Sequence, residues 1–416
     1  KDSYVTLLAG TDISSTNKEV KGIYSESGYV YNKGTLTLTG DKSAVLYGKA
    51  SSISNEAPGK ITVGKDGSGI YVKGNTSDGT NYGEITIGEA SVGMRAEDAT
   101  IINETTGKIL STAEKATGMS QSGGSQNIVN KGTITLTGDK STALHSEGIT
   151  TAGHKVINTG DITVGDSSNE LTPSVGIYSA NGTNSTVESS GKVIAGNKST
   201  AIYAGNVNLT GNSETKAGDG GIAVYSREGN VNISANSEIT VGATLGNGKE
   251  GVGVYLAGNN QVLNSDTNKL NIGQGSFGYV MTGQGNNVKT GLAGATGEVT
   301  LSDDSVYMYS ADKTGIARNY ANVKSTGNEN YGIYALGAVE NYGNIDLRAG
   351  VGNIGVYSTQ GNSKNFGVIT VGPSNVTSKQ YGIGMATGYY NETAKVATNE
   401  GTIENHGTIN VSDDNS

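Results

Sequence analysis

The residues that could carry catalytic chemistry are few in this sequence of 416 residues. It has no cysteine and three histidines, which are His145, His154 and His406. A nucleophilic serine or cysteine needs a base beside it, and no histidine lies beside a glycine-flanked serine. His145 and His406 stand at variable positions of a sequence repeat, and we interpret them as variants of that repeat. The sequence therefore predicts no nucleophilic triad.

Two pairs of adjacent aspartates, Asp303-Asp304 and Asp413-Asp414, are the other candidates for chemistry. Paired carboxylates serve acid–base catalysis or calcium binding. Both pairs follow the end of an expected strand, however, where aspartate is common in turns. Strings of the form G-x-G-x-x-G begin at Gly246, Gly273 and Gly350, but none opens a helix, as a nucleotide site requires. We expect a protein without enzymatic activity, without a metal and without another cofactor.

The composition excludes several other classes of protein. Glycine is abundant, with 65 residues, whereas proline occurs only 3 times, and this excludes collagen. The absence of cysteine excludes a disulfide scaffold. The net charge is −9 and the basic residues do not cluster, so we expect no nucleic-acid partner. No apolar run approaches the ~18 residues of a membrane span, so we expect no membrane insertion of this segment.

A repeat of about 24 residues sets where these side chains lie. Residues 32–47, NKGTLTLTGDKSAVLY, return almost unchanged as residues 130–145, NKGTITLTGDKSTALH. Between the two copies, the glycine before the main strand recurs at a near-constant step, at Gly34, Gly59, Gly83, Gly107 and Gly132. Each unit alternates aliphatic and polar residues over short runs, as strands do, and shows no 3.6-residue helical period. Such a unit buries its aliphatic side only by stacking on its neighbours.

We therefore predict an all-β fold, a right-handed parallel β-helix of about 24 residues per coil and roughly 15 coils, as a single repeat domain over residues 1–416. The right-handed sense is expected because parallel crossovers overwhelmingly turn that way. A β-propeller is the alternative, but its blades run to ~40 residues or more with antiparallel hairpins. Inward rows should include Ile61, Val63, Ile85, Ile87, Ile134, Leu136, Ile162 and Val164.

Stacking also predicts two ladders of side chains outside the aliphatic rows. Asparagines at one corner should hydrogen-bond to each other and to turn backbone. They are Asn32, Asn55, Asn81, Asn103, Asn130, Asn158, Asn341 and Asn365. The second ladder is Tyr24, Tyr47, Tyr71, Tyr178, Tyr203, Tyr225, Tyr255, Tyr334 and Tyr357, interrupted by Met94, Met119 and His145. If the preceding Ile or Val points inward, these tyrosines form an outward stripe suited to stacking on sugar rings; otherwise they only cover the surface or pack inside.

Three coils carry insertions of ten or eleven residues at the same corner of the repeat, at 166–176, 243–253 and 373–382. A further stretch, 283–332, is irregular. Insertions on one side often mark a binding face, although neutral drift of surface loops gives the same pattern. The candidate partner-binding residues are Asn169, Glu170, Lys249, Glu250, Arg318, Lys379, Tyr381, Tyr178, Tyr203, Tyr225 and Tyr255.

Tandem N-x-G-x-I-x-V motifs, each followed by a glycine and then by G-I-Y, in a cysteine-free chain rich in Gly, Asn and Thr, resemble a known family. The sequence resembles the passenger region of large type V autotransporter adhesins, most closely the fusobacterial type. The resemblance implies display on the surface of a Gram-negative bacterium, tethered through a C-terminal outer-membrane β-barrel that lies outside this sequence. It also implies adhesion to host cells or to other bacteria. Nothing here matches the serine nucleophile of the family's protease passengers.

Two main functional hypotheses follow from the insertions and the resemblance. In the first, the segment is a monomeric, non-enzymatic recognition surface that binds a glycan or a protein receptor through loops on one side of the β-helix. In the second, it is a spacer that holds a distal binding tip away from the cell, as the regular repeats of residues 1–145 favour. A β-helical polysaccharide-cleaving enzyme is a distant third.

Overall fold

Each repeat of the sequence forms three short strands, one in each of three parallel sheets that we call A, B and C. The structure is a computed structural model that describes residues 3–294, 297–398 and 400–412. It is an all-β parallel β-solenoid of about 15 turns with about 25 residues per turn, which confirms the predicted architecture. The right-handed sense and the single-domain organisation stay predictions, and the acid pair Asp413-Asp414 lies outside the described residues.

The described chain divides into two compact units, Lys1–Asn208 (unit 1) and Leu209–Ser416 (unit 2). In unit 1 the strands follow one another in the order A, B, C. Among the described residues of this unit, the only helical element is a 3-10 turn at Gly182–Asn184. Its sheet A contains β1 (Ser3–Leu7), β4 (Gly28–Asn32), β7 (Ser52–Asn55), β10 (Asp78–Asn81), β13 (Thr100–Asn103), β16 (Ile128–Asn130), β19 (His154–Asn158) and β22 (Ser185–Ser189). Its sheet B contains β2 (Asp12–Ser15), β5 (Thr35–Leu38), β8 (Lys60–Val63), β11 (Glu84–Ile87), β14 (Lys108–Ser111), β17 (Thr133–Leu136), β20 (Asp161–Val164) and β23 (Lys192–Ala195). Its sheet C contains β3 (Lys21–Glu26), β6 (Ala44–Lys49), β9 (Ser68–Lys73), β12 (Val92–Glu97), β15 (Thr117–Ser122), β18 (Thr142–Glu147), β21 (Val175–Ser179) and β24 (Thr200–Ala204).

Unit 2 repeats the same order after β25 (Asn206–Leu209), a sheet A strand at the boundary of the two units. Its sheet A contains β28 (Val231–Ile233), β31 (Val262–Ser265), β34 (Asn287–Thr290), β37 (Ile316–Asn319), β40 (Ala338–Asn341), β43 (Ser363–Asn365) and β48 (Ile403–Asn405). Its sheet B contains β26 (Glu214–Ala217), β29 (Glu238–Val241), β32 (Leu270–Ile272), β35 (Val299–Leu301), β38 (Val323–Ser325), β41 (Asn344–Leu347), β44 (Val368–Val371) and β49 (Thr408–Val411). Its sheet C contains β27 (Ile222–Ser226), β30 (Val252–Leu256), β33 (Phe277–Met281), β36 (Val306–Ser310), β39 (Tyr331–Ala335), β42 (Ile354–Ser358) and β45 (Ile383–Thr387). An antiparallel hairpin, β46 (Tyr389–Asn391) with β47 (Val396–Thr398), stands apart from these sheets.

The core consists of aliphatic columns that run from coil to coil. In sheet B of unit 1, parallel pairing places Leu36, Ile61, Ile85, Ile109 and Ile134 in one register. Strands expose alternate residues to opposite faces, so the aliphatic positions of each strand turn inward together. Every residue predicted for the inward rows is buried, with no more than 3% of its surface exposed.

The asparagine ladder is confirmed as a chain of buried side-chain amides. In unit 1, each amide from Asn32 to Asn130 donates through Nδ2 to Oδ1 of the next asparagine at 2.8 Å, and the row ends where Asn158 donates to Ser189 Oγ at 3.3 Å. In unit 2 the row begins at Asn319 and ends at Asn405. These two asparagines were not among the members predicted from the sequence. Because each amide both donates and accepts, the row satisfies polar groups that would be costly to bury alone.

The corner between sheets B and C turns through one residue with a positive φ in most coils. In unit 1 these include Glu19, Lys42 and Asp66, with φ of 60°, 58° and 55°, and in unit 2 Asp304 and Glu329, with φ of 57° and 56°. This conformation is unfavourable for residues with a side chain. The N–H of each of these residues donates to a carbonyl of the neighbouring coil at 2.8–3.0 Å, which offsets that cost. Because this position recurs from coil to coil, acidic and basic side chains lie in a row along the corner.

Candidate functional site

All three predicted insertions lie at the corner between sheets B and C. Residues 166–176 lie between β20 and β21 in unit 1, while 243–253 and 373–382 follow β29 and β44 in unit 2. A further insertion, the β46–β47 hairpin, occupies the corner between sheets C and A and was missed in the sequence. Its signal was the 40-residue step between the ladder residues Asn365 and Asn405, which the 373–382 insertion explains only in part.

The insertion of unit 1 is exposed and closed by local hydrogen bonds. Asn169 and Glu170 are exposed, and Asn169 Oδ1 accepts a hydrogen bond from the N–H of Leu171 at 2.8 Å. Leu171 itself has 89% of its surface exposed. Ser168 donates from its N–H to Asp139 Oδ1 at 3.1 Å, which ties the loop to the preceding coil.

The first insertion of unit 2 is a tight turn. The N–H of Leu245 donates to the carbonyl of Lys249 at 2.9 Å, and the N–H of Lys249 donates to Asn247 Oδ1 at 3.2 Å. Lys249 is half-buried and Glu250 is exposed. The N–H of Thr244 donates to the carbonyl of Gln274 at 2.8 Å, so the loop rests against the next coil.

The second insertion of unit 2 forms one wall of a groove. Asn375 and Gln380 form an antiparallel bridge, with N–H to carbonyl distances of 2.7 and 3.0 Å in the two directions. Beyond this bridge, Gln380 Nε2 donates to Glu329 Oε1, and Ser378 Oγ donates to Gln380 Oε1 at 2.6 Å. These bonds hold the loop against the positive-φ corner, and Lys379 and Tyr381 flank the groove from its side.

The groove has a volume of about 440 Å³, and its floor is a column of apolar side chains. Val306, Tyr331, Ile354 and Ile383 are the first residues of four successive strands of sheet C, and parallel pairing places them in one register. Val306 has 8% of its surface exposed, and the other three side chains are half-buried. Concave surfaces with an apolar floor and a few polar groups are typical of ligand sites.

Two carboxylates form the opposite edge of the groove. Asp304 and Glu329 occupy the positive-φ position in adjacent coils, and both are exposed. Partial burial, a hydrogen bond with the carboxyl group of Glu329 and the negative charges of Glu329 and Asp303 raise the pKa of Asp304. Among the described residues, no lysine or arginine forms an ion pair with either Asp304 or Glu329. The groove thus combines an apolar floor with two adjacent carboxylates that form no ion pair, and Lys379 also lines it.

Arg318 is not brought to this groove. It lies on β37 in sheet A, where Nε donates to Glu340 Oε2 at 2.8 Å and Nη1 donates to Asn287 Oδ1 at 2.7 Å. Both partners stand on neighbouring strands of the same sheet. Arg318 therefore links three coils of unit 2 on a face other than the one with the insertions.

The tyrosine stripe faces outward, which settles the orientation that the sequence left open. Tyr178 and Tyr203 in unit 1 are half-buried and stack at 5.1 Å between ring centroids, as do Tyr225 and Tyr255 in unit 2 at 5.2 Å. The aliphatic residue before each tyrosine is fully buried. Because ring faces cover one another within these two pairs, they offer mainly ring edges and hydroxyl groups to solvent.

The predicted interruptions of the stripe at Met94 and Met119 are wrong by one residue. Met94 pairs in register with Ile70 and Met119 with Leu144, and both methionines are fully buried. The stripe is interrupted instead by Arg95 and Ser120, which pair with Tyr71 and His145. Methionine is apolar and flexible enough to fill an inward column, so it belongs with the aliphatic residues of the repeat.

A second aromatic row was missed. Tyr320, Tyr342, Phe366 and His406 stack along the corner between sheets A and B of unit 2, with centroids 4.7–5.1 Å apart and interplanar angles of 5–9°. Each of them follows a member of the asparagine ladder, and this is the signal by which the sequence could have revealed it. Tyr342 and Phe366 have 39% and 42% of their surface exposed.

The histidines are engaged in structural contacts. His154 is fully buried, with Nδ1 2.8 Å from Ser185 Oγ and Nε2 2.9 Å from Gln121 Oε1, and burial lowers its pKa to about 4. His145 stacks on Tyr178, and burial lowers its pKa as well. The described part of the chain contains no group of three or more His, Cys, Asp or Glu residues that could hold a metal ion. It also contains no helix long and apolar enough to cross a membrane.

Comparison with known proteins gives one partial match, which lies within unit 1. Residues 2–151 match a family model described as the BigA third pectate lyase-like domain, and this stretch is about a third of the 416 residues. No curated protein and no solved structure matches the chain. The groove of unit 2 lies outside the matched residues. The first part of unit 1 is therefore similar to the BigA third pectate lyase-like domain.

Proposed function

We propose that this chain is a non-enzymatic segment of a bacterial cell-surface adhesin, displayed on a Gram-negative cell, and that the groove of unit 2 contacts the receptor. The receptor belongs to host cells or to other bacteria. The match of residues 2–151 to a domain of an autotransporter-like adhesin family supports the adhesin class. The β-solenoid fold supports it as well, since such folds present long surfaces made of repeated units.

The groove is the observation that carries the recognition function. A spacer needs only the aliphatic columns and the asparagine ladder, which both units contain. The groove adds an apolar floor whose side chains are mostly only half-buried and two carboxylates, Asp304 and Glu329, that form no ion pair. Exposed apolar side chains and uncompensated charges are retained where a partner covers them, so we assign this side of unit 2 to the receptor.

The same carboxylates do not suit hydrolysis of a polysaccharide. Glycosidases hold two carboxyl groups about 5–5.5 Å or about 6.5–9.5 Å apart, with the glycosidic bond between them. Asp304 and Glu329 stand together at one edge of the groove, where partial burial and the carboxyl group of Glu329 raise the pKa of Asp304, and not on either side of it. Asp303 Oδ1 accepts from the N–H of Asn328 at 2.7 Å and serves the turn. We therefore expect no polysaccharide turnover above that of a variant with Asp303→Asn and Asp304→Asn; turnover that this variant loses would contradict the proposal.

Adhesion of the whole 416-residue chain to partner cells tests the recognition function. Shortening loop 373–382 to five residues should abolish most of the adhesion, because it removes Gln380, Tyr381 and the wall of the groove. The matched control shortens loop 166–176 of unit 1 in the same way. Both variants should keep the circular dichroism spectrum of the parent. If both bind cells as well as the parent does, the spacer function replaces recognition.

A further inference from the structure

We propose that the groove of unit 2 binds an extended peptide segment of a protein partner, with a lysine or arginine side chain against Asp304 and Glu329 and neighbouring apolar side chains on the floor. The inference rests on the proposed function, and it narrows the receptor from a glycan or a protein to a protein. Three observations support it: the chemistry of the floor, the unpaired charges and the length of the groove.

The floor suits apolar side chains better than sugar rings. Sugar rings commonly stack on aromatic faces, and Tyr381 on the loop beside the floor is exposed, but three of the four floor side chains, Val306, Ile354 and Ile383, are aliphatic. The fourth, Tyr331, already stacks on Tyr334, with centroids 5.5 Å apart and rings inclined by 25°. Aliphatic side chains of a partner would remove this apolar surface from water, which is the main source of affinity at such a surface.

The charges of the groove favour a basic partner, because ion pairs between neighbouring coils compensate several carboxylates elsewhere in the solenoid but not these two. In unit 1, lysines of neighbouring coils pair with Glu26, Glu89 and Glu97 at 2.7–3.0 Å. Near the start of unit 1, the corner position that precedes sheet C places Lys42 between Glu19 and Asp66. In unit 2, Asp304 and Glu329 are adjacent at this position with no cation between them. An ammonium or guanidinium group of a partner would take the place that Lys42 has in unit 1.

The length of the floor fits a short extended segment. Its four side chains come from successive coils, so they span three strand spacings, or about 14 Å. An extended chain rises about 3.3 Å per residue, so four or five residues cover this distance, and alternate side chains face the groove. A segment in which a basic residue alternates with apolar residues meets both the acidic edge and the floor.

The test uses three fluorescent decapeptides and the full chain, with binding followed by fluorescence anisotropy. The first alternates arginine and leucine, the second glutamate and leucine, and the third arginine and serine. Only the first should bind well. The double variant Asp304→Asn, Glu329→Gln should weaken its binding at least about tenfold. The control variant Glu19→Gln, Asp66→Asn removes the same charge from the equivalent corner of unit 1 and should leave the affinity within about twofold.

Several results would overturn the inference. If the arginine–leucine peptide fails to bind, or if the two double variants weaken it equally, the groove does not recognise a basic peptide. A neutral oligosaccharide that binds the parent chain and loses affinity in the Asp304→Asn, Glu329→Gln variant would identify a glycan site instead. Cell adhesion could depend on loop 373–382 and yet persist when the groove is saturated with the arginine–leucine peptide. This result would overturn the inference that the ligand is a peptide, but it would leave the proposed adhesin function intact.

Discussion

The two units use one backbone corner for different surfaces. At the first position of each sheet C strand, unit 1 has mainly small or polar residues: Lys21, Ala44, Ser68, Val92, Thr117, Thr142, Val175 and Thr200. At the same position, unit 2 has bulky apolar residues: Ile222, Val252, Phe277, Val306, Tyr331, Ile354 and Ile383. The inward columns, by contrast, are aliphatic in both units.

This difference teaches which parts of a repeat carry function. Stacking constrains the inward columns and the asparagine ladder, so these stay alike wherever the fold continues. The outward columns and corners are less constrained, since their ring stacks, ion pairs and turns accept several residue types, and their residues differ from coil to coil. The corner of unit 1 encloses only about 230 Å³ beside Ala44 and Ser68, whereas that of unit 2 encloses about 440 Å³ over an apolar floor. The site therefore lies in the outward residues and not in the fold itself.

The largest expected effect tests whether the inward columns of the two units are equivalent. Ile87→Asp in unit 1 and Ile369→Asp in unit 2 each place a charge in a dry column, because both isoleucines are at most 3% exposed. Each should lower the free energy of unfolding by about 3–5 kcal/mol, measured by urea denaturation. The outward neighbours provide controls, and Thr86→Asp and Thr370→Asp should cost less than about 1 kcal/mol. A loss in only one unit would show that the columns are not equivalent.

A second prediction separates the units by pH. The pKa of buried His154 in unit 1 is lowered to about 4, below the ~6.5 of an unfolded chain, so the unfolded state binds more protons between these values. Its contribution to stability is complete above about pH 6.5 and is lost as the pH falls towards 4, by up to about 3 kcal/mol. The one histidine of unit 2, His406, has 53% of its side chain exposed, so this unit has no buried counterpart of His154.

The measurement is the urea midpoint of the parent chain between pH 7 and pH 4, compared with that of His154→Gln. Glutamine can keep hydrogen bonds to Ser185 and Gln121 without titrating. The urea midpoint of the variant should depend less on pH than that of the parent. The dependence that is left should come in part from His145, whose pKa is also lowered by burial. An unchanged pH dependence would exclude His154 as the titrating group.

A third prediction concerns the asparagine ladder, which the two units share. Asn81→Ala in unit 1 or Asn341→Ala in unit 2 leaves Oδ1 of the next asparagine without its donor, and it leaves Nδ2 of the previous asparagine with only its backbone carbonyl partner. Each substitution should lower the free energy of unfolding by about 2 kcal/mol, because a buried polar group without a partner costs about 1–3 kcal/mol. The exposed Asn75 provides the control, and Asn75→Ala should change it by less than about 0.5 kcal/mol. Equal losses in the two units would confirm a common scaffold.

The smallest expected effect tests the floor of the groove. Replacing Tyr331 and Ile354 by serine gives unit 2 the polar floor of unit 1. Binding of the arginine–leucine peptide should weaken about tenfold, or about 1.4 kcal/mol, while the urea midpoint changes little because both side chains are half-buried at the surface. Parent-like affinity in this variant would show that the floor takes no part in recognition.

The period of the sequence was enough to predict the fold, because one physical pattern recurs in every coil. Ile85 and Ile87 alternate with Thr86 and could be assigned to the core from two-residue alternation alone. The asparagine ladder followed from register. The misplacement of Met94 in the tyrosine stripe arose because Arg95, which holds the stripe position in that coil, is not aromatic, and only the pairing of Met94 with Ile70 assigns Met94 to the inward column.

The groove could be predicted only in part. The 373–382 insertion pointed to Lys379 and Tyr381, and Asp304 drew attention as part of an acid pair. Asp304 lies beside Glu329 because both occupy the same corner position in adjacent coils. The irregular spacing of residues 283–332 prevented us from predicting this from the sequence. Arg318 lies in the same stretch but on sheet A, because a shift of a few residues along a coil moves a side chain to another face.

The parallel pairing of the strands also has a mechanical consequence for each unit. Backbone hydrogen bonds join each coil to the next, so they point along the stacking direction, while the covalent chain winds around it. A force that pulls the ends of a unit apart in that direction loads these bonds coil after coil, and the outermost coil peels first. Each coil of about 25 residues then releases about 80 Å of chain. A unit built in this way yields in small successive steps under shear flow and retains its remaining coils as it lengthens.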